Sequence, residues 1–162
     1  MTIEYKLSTI IRGSLIYAAG DTAAAIITDE WSWIRLLGIL FVSATFYSVE
    51  IPNYFNWIDK KMSHSASLKD RLIKASLAMI YFNPLWIARH MLFIKLFMGQ
   101  TDQIGWNILE AGAISFAINI PISLAVNYGI QNKVALEHRF IVSALFSGVM
   151  AVYYSLSAVW FG

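Results

Sequence analysis

Long apolar stretches alternate with short polar ones along this chain. Five stretches approach the roughly 20 residues needed to cross the hydrocarbon core of a bilayer. They are Leu7–Thr28, Trp31–Pro52, Leu72–Phe97, Ile104–Tyr128 and Phe140–Gly162. The pattern predicts an all-α, multi-pass transmembrane helical bundle of about five spanning helices, with residues 1–162 forming a single integral membrane domain. Trp31 and Trp33 flank one end of the second stretch, and Tyr54 and Trp57 the other, as an interfacial aromatic belt requires. An amphipathic extension is expected around Asn53–Met62. Asn83-Pro84 interrupts the third stretch and Pro121 the fourth. Proline cannot donate the helical hydrogen bond, so kinks are expected at Pro84 and Pro121, near mid-membrane. Glu4, Lys6 and Arg12 stand where a signal peptide would be apolar, so the first segment is expected to stay in the mature protein.

Polar residues inside the stretches fall at helical spacing. The sets are Ser14, Tyr17, Asp21 and Thr28; Ser43, Tyr47, Glu50 and Tyr54; Ser76, Asn83, Trp86 and His90; Ser115, Asn119, Ser123 and Asn127; and Ser143, Ser147, Tyr154 and Ser157. Each set lies along one helix face, and a polar face is unfavourable against lipid, so all five are expected to point inward. Two consequences compete. The stripes either hold helices together by hydrogen bonds or line a hydrated path. Gly13, Gly20, Ala24, Gly112 and Gly148 favour close helix packing under both.

Composition narrows the class. Of 162 residues 58% are hydrophobic and 14% charged, and the mean hydropathy is +0.59. A soluble domain carries about 25% charged residues, so a soluble enzyme and a disordered chain are both disfavoured. Nine of the twelve Lys and Arg residues fall on the side shared by the N-terminus and the second and fourth loops. The positive-inside rule then predicts the N-terminus on the cytoplasmic-type side and the C-terminus opposite. With this orientation Asp21, Arg89, His90 and Glu110 lie in the outer half, roughly 9–13 Å inside the span. Arg89 is expected to pair with Asp21 or Glu110, with His90 as a titratable neighbour. Arg12, Glu50 and Lys74 lie nearer the inner interface, where snorkelling accounts for them.

Cysteine is absent, and His64, His90 and His138 are isolated, so neither a thiolate nor a multi-histidine metal site is expected. No phosphate-binding glycine loop, HExxH or GxSxG occurs, so no cofactor is expected. The basic residues do not cluster on a polar face, which argues against a nucleic-acid partner. The expected partners are the lipid bilayer and small polar solutes, with a homo-oligomer left open. The leading expectation is a membrane channel or exporter for small polar metabolites, passive or ion-coupled. Its path residues are Asp21, Glu50, Asn83, Arg89, His90, Glu110, Asn119 and Asn127. The alternatives are a non-transporting membrane scaffold or homeostasis factor, and an intramembrane lipid-modifying enzyme using Asp21, His90 and Glu110.

Several motifs carry a family likeness. Gly13-Ser14-Leu15 precedes Gly20-Asp21, and Tyr54-Phe55-Asn56-Trp57-Ile58-Asp59-Lys60 combines an aromatic pair with an aliphatic residue, Asp and a base. Pro84, Pro121, Asn127-Tyr128, Arg139 and Tyr153-Tyr154-Ser155 complete the set. These residues resemble, as a remote member, the family of the twenty-two-kilodalton peroxisomal membrane protein and its mitochondrial inner-membrane relatives. The chain departs from that pattern at Ser48-Val49, Leu77-Ala78, Ile120 and Met150-Ala151. The resemblance implies a small multi-pass protein associated with metabolite-permeable channels or membrane homeostasis, described with four spanning helices where five hydrophobic segments occur here. A weaker likeness, through Gly20-Asp21-Thr22, Phe82-Asn83-Pro84 and Asn127-Tyr128-Gly129, runs to the bacterial alanine-exporter family.

Overall fold

The computed structural model describes residues 6–62 and 67–161, with side chains described up to residue 152. Tyr153, Tyr154, Ser155 and Ser157 therefore fall outside the described side chains, and His64 and Gly162 outside the described residues. The described chain is helical nearly throughout: α1 (Leu7–Ile27), α2 (Trp33–Val42), a π-helical turn (Ser43–Tyr47), α3 (Ser48–Met62), α4 (Leu68–Tyr81), α5 (Pro84–Phe97), a short 3-10 turn (Thr101–Gln103), α6 (Trp106–Lys133) and α7 (Leu136–Phe161). The runs Leu7–Ile27, Trp33–Met62, Leu68–Phe97 and Trp106–Lys133 are each long and apolar enough to span a bilayer. The architecture is a multi-pass transmembrane helical bundle.

Local chemistry sets the boundaries. Ser32 caps α2 by accepting from the Arg35 amide at 3.1 Å, and Ser67 caps α4 through the Asp70 amide at 3.2 Å. Beyond α5, Gly99 takes φ +70° while the Gln100 amide reaches back to the Lys95 carbonyl at 2.9 Å, closing a Schellman motif. The same motif ends α1, where the Glu30 amide bonds the Ala25 carbonyl at 2.8 Å. There the left-handed position is held by Asp29, at φ 57°.

The prolines act differently from one another. Pro52 does not end the second span, as its place in the sequence suggested; α3 runs through it to Met62. The expected kink at Pro84 is a full interruption, because α4 stops at Tyr81 and Pro84 opens α5 as its first residue. Pro121 lies inside a continuous α6.

In the assembled bundle α7 packs along α1, α6 along α4 and α5, and α2 against α5. A Cβ built on Gly20 would stand 2.5 Å from the Gly148 Cα, so α1 and α7 cross backbone to backbone. Four of the five polar stripes place members in the interior, where Ser14, Tyr17, Asp21, Ser43, Tyr47, Asn119, Asn127 and Ser143 are buried, whereas Ser76, Asn83, Trp86 and His90 of the third are half-buried. Rings fill the middle. Tyr17, Tyr47, Phe55 and Phe140 form the core with Ile51, Ile58 and Ala144, and Trp86, Phe93 and Phe97 pack against it.

Candidate functional site

Charged side chains gather at three levels along the bundle. At the end where α1 finishes and α2 begins, Arg35 grips Asp21 through two hydrogen bonds of 2.9 Å. Arg35 also reaches Glu30 at 3.0 Å. Asp21 and Arg35 are almost wholly buried, with side chains 4% and 5% exposed. His90 stands beside this pair, its Nε2 3.8 Å from Asp21, while its Nδ1 shares a 3.0 Å hydrogen bond with the Tyr47 hydroxyl. Trp86 stacks on the imidazole, with planes 7° apart.

The middle level joins α3 to the broken α4–α5 rod. Arg89 donates to both carboxylate oxygens of Glu50, at 3.0 and 2.8 Å, and the Tyr81 hydroxyl donates to the same carboxylate at 2.8 Å. The bidentate fork fixes both side chains. Both remain about one-third exposed. Directly alongside, Asn83 accepts from the Trp86 amide at 3.0 Å, capping a helix that starts at mid-rod. Glu50, Tyr54, Tyr81, Asn83, Trp86 and Arg89 line a cleft of about 370 Å³. Two further donors, Trp86 Nε1 and Arg89 Nε, are buried with no bonding partner among the described residues.

The third level lies where α3, α6 and α7 meet the loops. Asp59 accepts from Arg139 at 3.0 Å and from Lys74 at 3.3 Å, and Arg139 also donates to Gln131 at 3.3 Å and to the Val134 carbonyl at 3.0 Å. The bonded Asp59 and Arg139 belong to separate motifs in the sequence, 80 residues apart.

Several expectations need correction. Arg89 pairs with Glu50, not with Asp21 or Glu110. Asp21 is already satisfied by Arg35, which the sequence pattern left on an outer flank. Glu110 is exposed on the outward side of α6, so it joins none of the three levels. Glu50 and Lys74 are tied to partners on neighbouring helices rather than snorkelling.

No protein family, curated protein or solved structure matches the chain. The site must be read from its own geometry. Of the expected path residues, the structure brings Asp21 to His90, and Glu50 to Asn83 and Arg89. Asn119 and Asn127 are buried on α6, where the Asn127 amide donates to the Ser123 carbonyl at 2.8 Å. Among the described residues no cluster of three or more His, Asp or Glu is placed to hold a metal ion. Arg35, Tyr47 and Tyr81 were missed as site residues. A signal for Arg35 existed: it precedes Ile39, Ser43 and Tyr47 at steps of four, on the face that carries the second polar stripe.

Proposed function

We propose that this protein is a carrier-type exporter of small polar metabolites, described here in a closed arrangement. The observation that carries this reading is the helix interruption facing an ion pair across a cleft. The rod Leu68–Phe97 holds 30 residues, and Asn83 is its sixteenth, so the interruption falls at mid-span. An intact helix there would satisfy its own backbone; the interrupted one relies on the Asn83 side chain to cap α5 at the cleft wall. Discontinuous helices near the bilayer midplane are a recurrent way of building solute sites in secondary transporters. Here the capped start of α5 adjoins Glu50 and Arg89, which offer one charge of each sign at the cleft wall.

The packed rings of Tyr17, Tyr47, Phe55 and Phe140 favour a carrier over a standing open channel, because a permanent path needs a wet axis. Transport is passive or ion-coupled, with the N-terminus on the cytoplasmic-type side. Remote membership in the peroxisomal and mitochondrial membrane-protein family belongs to the same proposal, supported by the bond between the motif residues Asp59 and Arg139.

The test is solute flux into liposomes holding the purified protein, using a panel of labelled small polar metabolites. Saturable flux that falls at least tenfold in Arg89→Leu, with the variant still folded, is the expected result. Flux that rises linearly without saturation would return the reading to a channel. No flux of any solute from folded wild-type protein would favour the scaffold, a reading the complete pairing of Asp21, Glu50 and Asp59 also accommodates.

A further inference from the structure

A second cavity, of about 580 Å³, lies at the opposite end of the bundle from the Asp21–Arg35 pair, between the starts of α1 and α7 and the middle of α3. It shares no lining residue with the Glu50–Arg89 cleft. Its rim and floor differ in chemistry. Lys6, Arg12 and His138 stand at the rim, all exposed, with the hydroxyls of Ser8 and Thr9 beside them. Among the described residues that line it, one carboxylate is present, that of Glu137, 3.4 Å from His138. The floor is mainly apolar: Phe55 and Phe140 close it almost fully buried, Pro52 and Ile141 are half-buried and Leu136 is exposed, with Ser48 and Asn56 adding polar groups. The first turn of α7 opens at this rim, at Leu136, and adds its amide dipoles to the positive field.

We propose that this cavity binds the headgroup of an anionic phospholipid. The shared chemistry is a phosphate oxyanion, which Arg12 can meet with two parallel donors. The apolar part of the lining selects the lipid over free phosphate, because a soluble anion leaves the accessible Pro52, Leu136 and Ile141 surface wet whereas an acyl chain covers it. A basic rim at the bilayer surface is also where the field of anionic lipids is felt.

The experiment titrates the full-length protein in neutral detergent with dioctanoyl phosphatidylglycerol, dioctanoyl phosphatidylcholine or inorganic phosphate, reading the thermal midpoint. A ligand that binds only the folded state raises that midpoint in a saturable way. The expected result is a saturable rise with phosphatidylglycerol alone. The exposed double variant Arg12→Gln, His138→Gln should weaken its apparent Kd about tenfold or more. Lys133→Gln, an exposed cation outside the cavity, should stay within about twofold of wild type, which separates a site from general charge attraction. An equal rise with phosphatidylcholine, an unchanged Kd in the double variant, or a full rise with inorganic phosphate would each overturn the assignment.

Discussion

Removing Arg35 tests the buried end of the charge system most directly. Arg35 and Asp21 are joined by two 2.9 Å bonds and are 5% and 4% exposed. At 2.9 Å the gross attraction is about 6 kcal/mol for an effective dielectric near 20. Desolvation of both ions offsets most of that, so the intact pair contributes little net stability. Truncating one partner is different, because the other is left as an uncompensated buried charge, at a cost of about 3–5 kcal/mol. Arg35→Leu and Asp21→Leu should each destabilise by that amount in equilibrium unfolding from maltoside into mixed dodecyl sulfate micelles, followed by helical circular dichroism. The double variant Asp21→Leu, Arg35→Leu should return to within about 2 kcal/mol of wild type, since apolar replacement of a buried pair is often neutral. Glu30 bonds the same guanidinium but is half exposed, so Glu30→Gln should cost under about 1 kcal/mol. Single variants that lose less than about 1 kcal/mol, or whose losses simply add in the double variant, would refute the burial argument.

Three other perturbations probe the rest of the bundle. The charge swap Glu50→Arg with Arg89→Glu should recover about 1–2 kcal/mol over the sum of the single changes, measured by the same unfolding assay; no recovery would dissociate the two residues. Gly20→Leu should lower stability by about 1–3 kcal/mol or more, because its Cβ alone meets the Gly148 backbone at 2.5 Å. Asp29→Gly should raise the thermal midpoint, since glycine at φ 57° removes a penalty of about 1 kcal/mol; an unchanged or lower midpoint would show that the Asp29 side chain compensates.

The helical rods were legible because their signal is local and long. A run such as Trp106–Lys133 is decided by composition alone. The inward stripes were legible for the same reason: Asn119 and Asn127 lie eight residues apart on one helix and are both buried. The charge partners were not, because partner choice depends on how rods rotate and cross. Arg89 is only one residue, about 100° around the helix, from the position that would serve Asp21, and His90 takes that place instead. Glu50 looked interfacial while the second span was ended at Pro52. Once α3 continues to Met62, Glu50 becomes the eighteenth residue of a 30-residue rod and moves to mid-depth. The error in one boundary therefore produced the error in the pairing.

The three charge levels constrain which parts of the bundle can separate. Asp21–Arg35 ties α1 to α2, and Asp59 ties α3 to α4 and α7. These links hold the two ends. The Glu50–Arg89 link is the one that joins α3 to α5 across the interruption, and it is also the more exposed of the pairs at depth. Under the carrier proposal, a solute that competed for either charge there would weaken the α3–α5 attachment while leaving the Asp21–Arg35 and Asp59 ion pairs intact. The chain between Tyr81 and Pro84 has no helical hydrogen-bond ladder to resist the resulting rotation of α5. The same Trp86 that stacks on His90 rides on α5, so this rotation would carry a ring out of the aromatic core. Under the carrier proposal, binding at the cleft and opening of the core would be coupled through one helix, and the one-third-exposed ion pair at mid-depth would be the element whose equilibrium a solute biases.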